Sequence, residues 1–167
     1  KRIMPILATR GCPYRCKFCS NEKMWGTLWI YRKPDFVMDE IEKYIRDYRV
    51  NFVEFYDLTL IMRKDWIIEF CQKLKKRNIQ IEWNVPSTRG EAIDMEVARE
   101  LKTAGCTNIC FTPDSGSEYQ LRDMRKKVNL KQITYAIMSC AHQSINIKVN
   151  LVIGFPYERY RDILQSI

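Results

Sequence analysis

No apolar run in the chain approaches the roughly 18 residues that a membrane helix requires, and no opening segment reads as a secretion signal. Internal repeats and low-complexity linkers are also missing. Together with 46 % apolar and 29 % charged residues over 167 positions, this describes one ordinary globular domain with its own core. The single histidine, His142, falls near the end of a helical stretch, where a cation is favourable, and is given no catalytic part. Seven cysteines occur without the framework of a disulfide-rich domain, which suits a reducing cytosol and a cytoplasmic setting. The net charge is +8, yet no single basic stripe is formed. Lys73, Lys75, Lys76 and Arg77 sit at the polar end of a helix, and Arg125, Lys126 and Lys127 make a short run in a loop. A solvated surface accounts for both, so DNA is not expected as a partner and RNA is the weaker substrate reading. The chain opens at Lys1 on an expected strand without an initiator methionine, as an excised piece of a longer protein would.

Three of the cysteines crowd into one short segment, Thr9-Arg10-Gly11-Cys12-Pro13-Tyr14-Arg15-Cys16-Lys17-Phe18-Cys19, at the spacing C-x3-C-x2-C. Chance gives a stated three-cysteine spacing in about one chain in a hundred of this length. Gly11-Cys12-Pro13 and the interposed Arg15 and Lys17 make the segment a loop rather than a buried strand or helix face. A mononuclear zinc site wants a fourth protein ligand and a second pair, and none is present. An iron-sulfur cube held by three cysteines keeps one iron free for a substrate or cofactor. A non-catalytic metal-binding module resting on the cysteines alone remains open at this point. Cys71 and Cys140 fall on apolar helix faces, Cys110 in a strand and Cys106 beside Gly105, so these four are structural.

Hydrophobic periodicity alternates strand with helix five times. Strands are expected over Ile3 to Thr9, Asn51 to Tyr56, Ile79 to Val85, Asn108 to Thr112 and Asn146 to Ile153. Between them, helices are marked by Val37, Ile41, Tyr44, Ile45 and Tyr48 with Asp35 as N-cap, by Ile67, Phe70, Cys71 and Leu74, by Met95, Ala98 and Leu101, and by Leu130, Ile133, Ile137, Cys140 and Ala141. A last helix begins near Arg161. The pattern calls for an α/β fold with a parallel sheet, either doubly wound or part of a β/α barrel. Such sheets bind ligands at the carboxyl ends of their strands, and the unusual segments fall there. These are the cysteine loop, Tyr56-Asp57-Leu58-Thr59, Pro86-Ser87-Thr88-Arg89, Pro113-Asp114-Ser115-Gly116-Ser117 and Gly154-Phe155-Pro156.

With Phe18 directly before Cys19, the cysteine loop resembles that of the radical S-adenosylmethionine (radical SAM) enzymes. The stretch from Arg10 to Asn21, followed by Lys23-Met24-Trp25-Gly26, looks most like the branch in which a cobalamin-binding domain precedes the radical domain. The resemblance implies a partial, three-quarter β/α barrel truncated after its fifth strand, with residues 1–167 as the radical SAM core domain and 10–33 as its cluster loop. It implies a 4Fe-4S cluster on Cys12, Cys16 and Cys19, S-adenosylmethionine on the open iron, and cobalamin bound by a domain absent from this chain. Reductive cleavage of S-adenosylmethionine would yield a 5'-deoxyadenosyl radical, with an electron donor such as flavodoxin or ferredoxin as partner. Methylation or a related radical reaction on a small-molecule or lipid substrate is favoured over modification of RNA.

The same resemblance places the backbone at Tyr56 and Asp57 beside the methionyl amine and Arg89 on its carboxylate. Asp114 and Ser115 fall near the ribose, and Phe18 with Gly154, Phe155 and Pro156 around the adenine. The residues alone also allow a salt bridge from Arg89 to Glu91 and a simple turn at Asp114. After the fifth strand, Tyr157 and Arg159 replace the family's second Gly and its Thr, and a bulky ring there would narrow the pocket. Trp25, Trp29 and Tyr31 are expected to pack under the long loop.

Overall fold

The computed structural model of the protein describes residues 1–167. In chain order it contains β1 (Ile3–Ile6), β2 (Thr9–Arg10), α1 (Asn21–Met24), β3 (Ile30–Tyr31), α2 (Pro34–Tyr48), β4 (Phe52–Phe55) and α3 (Lys64–Lys76). There follow β5 (Glu82–Thr88), α4 (Met95–Thr103), β6 (Cys106–Asp114), α5 (Glu118–Asp123), α6 (Leu130–His142), β7 (Asn146–Leu151) and α7 (Tyr160–Leu164). Five strands form one parallel sheet in the order β1-β4-β5-β6-β7, so each strand lies beside the next main strand of the chain. That order decides between the two architectures left open by periodicity. A doubly wound sheet reverses its strand order at a switch point and so carries helices to both faces. Here there is no reversal, and crossovers of one hand lay α2, α3, α4 and α6 along a single face, as in a β/α barrel. The sheet stays open between β1 and β7, which makes the barrel partial.

The core lies between those helices and the convex face of the sheet. Val37 and Ile41 of α2, Ile67 and Leu74 of α3, Val97 and Leu101 of α4, and Ile133 and Cys140 of α6 bury their stripes against Val53, Phe55, Val85, Ile109 and Phe111. Phe55, Phe70 and Trp83 meet edge to face at centroid distances of 5.3 to 5.8 Å, the arrangement that aromatic quadrupoles favour. The indole of Trp83 donates to the carbonyl of Ala104 at 2.8 Å, so its one polar atom is satisfied in the core. Alternate strand residues, among them Glu54, Asn84 and Thr112, face the other way and leave the concave side polar.

Several boundaries differ from the sequence pattern, each for a local reason. Helix α2 is entered through Lys33, with Pro34 at its first turn, and not through Asp35. Proline suits that position because its φ is already helical and its missing N–H would be unpaired there anyway. Asp35 instead pairs with Lys73 and Arg77, so the basic end of α3 is tied to α2 as well as facing solvent. The third main strand runs from Glu82 to Thr88 rather than over residues 79–85, and the fourth extends beyond 108–112 to both sides. Both take in a proline, Pro86 and Pro113, and both prolines fall where the pairing register shifts, the place a residue without an N–H is tolerated. The short α1, α5 and the β2–β3 pair are too brief to show a period.

The corner between α4 and β6 turns on Gly105, whose φ of 92° is left-handed and whose added Cβ would come within 2.3 Å of the carbonyl oxygen of Ile81. Gly105→Ala should therefore cost about 1 to 3 kcal/mol of stability, read as a lower urea midpoint at unchanged slope. An unchanged midpoint would show that this corner can open without loss.

Candidate functional site

The loop between β2 and β3 is held at its root, within itself and on both of its flanks. At its root, Thr9 and Arg10 pair with Tyr31 and Ile30. Gly11, at φ 79°, lies so close to Leu28 that a Cβ would sit 2.0 Å from the Leu28 carbonyl oxygen, so no other residue fits there. Asn21 donates to the carbonyls of Cys12 and Gly26 at 2.9 and 3.1 Å, which folds the outer part of the loop back on itself. On the β4 side, the buried carboxylate of Asp57 accepts from the backbone N–H of Ala8 and Thr9 and from the Thr9 hydroxyl, the last at 2.6 Å. Burial pushes the Asp57 carboxyl above the usual range and the Thr9 hydrogen bonds pull it back. On the far side, Lys17 N–H donates to the carbonyl of Met124 at 2.9 Å and its ammonium pairs with Asp123 at 2.5 Å. The loop is strapped between the end of β4 and the end of α5.

All three loop cysteines are free thiols, Cys12 and Cys16 half-buried and Cys19 exposed. The Cys19 N–H donates to the Cys16 carbonyl at 3.0 Å, and the Thr59 hydroxyl lies 3.8 Å from the Cys12 sulfur. Their sulfurs are not drawn to a common metal-binding distance. Burial raises the Cys16 thiol, while Lys126 and then Arg89 lower it. A donor set of three sulfurs, with no histidine and no carboxylate completing a tetrahedron, fits an iron-sulfur cube with one open iron and does not fit structural zinc.

Around this loop stand the other rim residues. Arg89 is buried at the end of β5, where it holds Glu91 through Nε at 3.1 Å and Nη2 at 2.9 Å. Its guanidinium lies 3.6 Å from the ring centroid of Tyr14, between Cys12 and Cys16 in the chain. Arg89 thus pins the cysteine loop to the sheet while its Nη1 keeps no protein partner. Asp114 ends β6 in a left-handed conformation, φ 67°, and is 5 % exposed, so it is a buried strand end and not a surface turn. Lys126 Nζ lies 2.6 Å from its Oδ2 in a buried ion pair, so that oxygen is taken by the protein itself.

Phe18 meets Phe155 edge to face at 6.3 Å, which brings the cysteine loop and the segment after β7 together. Gly154 donates its N–H to Glu158 at 2.6 Å, closing a tight turn through Pro156. Ser115 turns away toward α7, within 3.2 Å of the Ser166 hydroxyl, and Ser117 donates to Asp162 at 2.6 Å. Arg159 beside Asp162 holds that carboxyl far below the usual range, so Arg159 serves the start of α7. The side chains of Tyr56 and Asp57 also leave the site: Tyr56 is exposed with its hydroxyl on Glu54, and Asp57 points into the sheet. Tyr157 is 87 % exposed and does not narrow the pocket. Trp29 packs under the loop as expected, donating to the Thr59 carbonyl at 2.9 Å and lying 5.0 Å from Tyr31. Trp25 and Tyr31 keep substantial exposure. Lys126 was hidden in the sequence, because a lysine between Arg125 and Lys127 shows no pattern marking the one that turns inward.

Comparison with known proteins agrees with this geometry. The model of the Radical SAM superfamily matches residues 6–167. An uncharacterized methyltransferase of Pyrococcus horikoshii is 26 % identical over 162 residues, 97 % of this chain and 35 % of that protein. The cobalamin-dependent S-adenosylmethionine radical enzyme OxsB, solved with aqua-cobalamin bound, superposes with a TM-score of 0.84 at 19 % identity, over 97 % of this chain and 25 % of its own. The radical S-adenosylmethionine methyltransferase TsrM from Kitasatospora setae, solved with tryptophan and a SAM analogue, gives 0.81 at 22 % identity, over 99 % of this chain and 33 % of its own. The chain thus spans about a quarter to a third of the proteins it resembles. No helix is long and apolar enough to cross a membrane. Enzymes of the matched family use a 4Fe-4S cluster and S-adenosylmethionine. From β1 to its last residue, this chain belongs to the radical SAM superfamily.

Proposed function

We propose that Cys12, Cys16 and Cys19 hold the 4Fe-4S cluster, and that the whole protein is a cobalamin-associated radical SAM enzyme. Its reaction is methylation or a related transformation at an unactivated carbon of a small-molecule or lipid substrate. The observation that carries this reading is the all-sulfur donor set, strapped at the carboxyl ends of the parallel strands. When bound, the cluster supplies the electron that splits S-adenosylmethionine into methionine and a 5'-deoxyadenosyl radical.

The chain's own groups position the reactant. Asp114, paired with Lys126 through Oδ2, can offer its other carboxylate oxygen to the ribose hydroxyls. Arg89 is available to the methionyl carboxylate through Nη1, with its plane fixed by Glu91 and Tyr14. The backbone at Tyr56 and Asp57 faces the amine, and Phe18 and Phe155 flank the adenine. Names among the relatives support methylation, and the cobalamin dependence of OxsB supports that cofactor. TsrM, solved with tryptophan, supports a small substrate.

After anaerobic reconstitution, about four irons per chain and absorption near 400 nm are expected. Cys12→Ala, Cys16→Ala or Cys19→Ala should each abolish both, whereas Cys71→Ala and Cys140→Ala should keep them. A cluster that survives loss of Cys16 would reject the ligand assignment.

In iron-free protein, an alkylating agent at about pH 8 should reach Cys19 first and spare the buried cysteines until unfolding. Burial pushes the Cys140 thiol up to about 12 and raises Cys71 and Cys106 strongly, so few thiolates form there. Mass spectrometry that finds Cys106 modified early would contradict this packing.

Asp114→Asn should weaken S-adenosylmethionine binding about ten- to a hundred-fold with iron content unchanged, the size expected for losing a charge-assisted hydrogen bond. The change is read by titrating the EPR signal of the reduced cluster. Equal affinities would remove Asp114 from the site.

A further inference from the structure

An open cleft of about 1040 Å³ runs beneath the cysteine loop, lined by Pro13, Tyr14 and Arg15 on one side and by the segment from α5 to the start of α6 on the other. Its charge is one-sided. Arg15, Arg122, Arg125, Lys126, Lys127 and Lys131 line it against a single carboxylate, Glu118. Lys126 is taken inward by Asp114, Arg15 approaches Glu22 at 3.4 Å and Arg122 approaches Glu118 at 3.9 Å. Arg125, Lys127 and Lys131 have no carboxylate at ion-pair distance, so the cleft keeps three uncompensated cations side by side.

Arg125 adds a second observation. It closes α5 in a left-handed conformation, φ 53°, with the Lys126 N–H on the Leu121 carbonyl at 2.8 Å and its own N–H on the Arg122 carbonyl at 3.1 Å. This is the helix-ending position that glycine favours, and a side chain there costs about 1 kcal/mol or more. The chain carries an unpaired cation at that place, next to the two contacts from Lys17 that strap the cysteine loop to α5.

The cations are spread and mostly exposed. They do not converge on a buried point, as a tight site for a small anion would require. Each exposed pair formed across such a surface is worth little, but the summed field speeds encounter with a partner of opposite sign. RNA would in addition call for aromatic faces on which bases stack, and the cleft's only aromatic, Tyr14, is covered by Arg89.

We propose that this basic face is the docking surface for an acidic one-electron carrier protein of the flavin or iron-sulfur class. The inference rests on the cluster reading above. The carrier gives up one electron, the metal centre on the loop accepts it, and no proton or group is transferred. Because Pro13, Tyr14 and Arg15 belong both to the cleft wall and to the loop between Cys12 and Cys16, a carrier seated here lies against the segment that holds the acceptor.

The test uses flavodoxin as the acidic carrier. Lys127→Glu with Lys131→Glu, and separately Arg125→Glu, should weaken binding of oxidised flavodoxin by about tenfold or more at low salt, with a flatter salt dependence than the parent. Reduction of the cluster by flavodoxin hydroquinone should slow by a similar factor, while photoreduced deazaflavin, a small reductant, should act on parent and variants at equal rates. Equal flavodoxin binding by parent and variants would overturn the proposal. So would a loss confined to a single-stranded RNA oligomer, which would make the face a polyanion site. If the parent takes up no iron, the cluster reading fails by itself, and flavodoxin binding to the iron-free protein still decides the docking surface.

Discussion

The arrangement of the rim depends on one buried carboxylate. Asp57 follows β4, yet its side chain serves the end of β1 by accepting two backbone N–H groups and the Thr9 hydroxyl. These are donors that the chain exposes as it leaves the sheet to start the cysteine loop. A carboxylate taken out of water is tolerated only when its acceptor sites are used, so the cost of burying Asp57 and the need to satisfy Ala8 and Thr9 offset each other. The direction of the whole loop from Gly11 onward follows from that exchange. Arg89 on Tyr14 and Lys17 on α5 then fix its middle and its far side.

Much of this was legible in the residues because it has a period or a spacing. Parallel β/α alternation shows in the stripes on α2, α3, α4 and α6, and the proposed donor set rests on three cysteines at a spacing that chance seldom gives. The choice between barrel and doubly wound sheet was not legible from periodicity, since both give the same alternation. It lies in which strands become neighbours, and only the family resemblance pointed to it. Strand ends were misplaced at Pro86 and Pro113 because proline reads as a terminator, while register shifts let the backbone pass through it.

Side-chain direction was the other hidden quantity. Asp57 and Ser115 lie at the right ends of the right strands, but Asp57 bonds back to β1 and Ser115 sits beside α7. Lys126 does the reverse, leaving a basic run to meet Asp114 beneath the loop. Position along a strand says which rim a residue occupies. Whether it faces the reactant or braces a neighbour depends on one or two dihedral angles, such as the left-handed φ of Asp114 and Arg125. The net charge has the same character. Composition gives its size, and only the tertiary pairing shows that several of the cations left over share one cleft.

The sequential strand order also bears on how the fold is assembled. In the sheet β1-β4-β5-β6-β7, each strand joins the edge left by the one before it, and none has to be threaded between two that are already paired. A chain emerging at roughly 5 to 20 residues per second can therefore extend its sheet one strand-helix unit at a time, each helix covering the strand just added. At every stage the advancing edge is the newest strand and is covered by the next segment synthesised, while β1 keeps the other edge. A doubly wound sheet has no such order, because its second half must return to an edge made at the start.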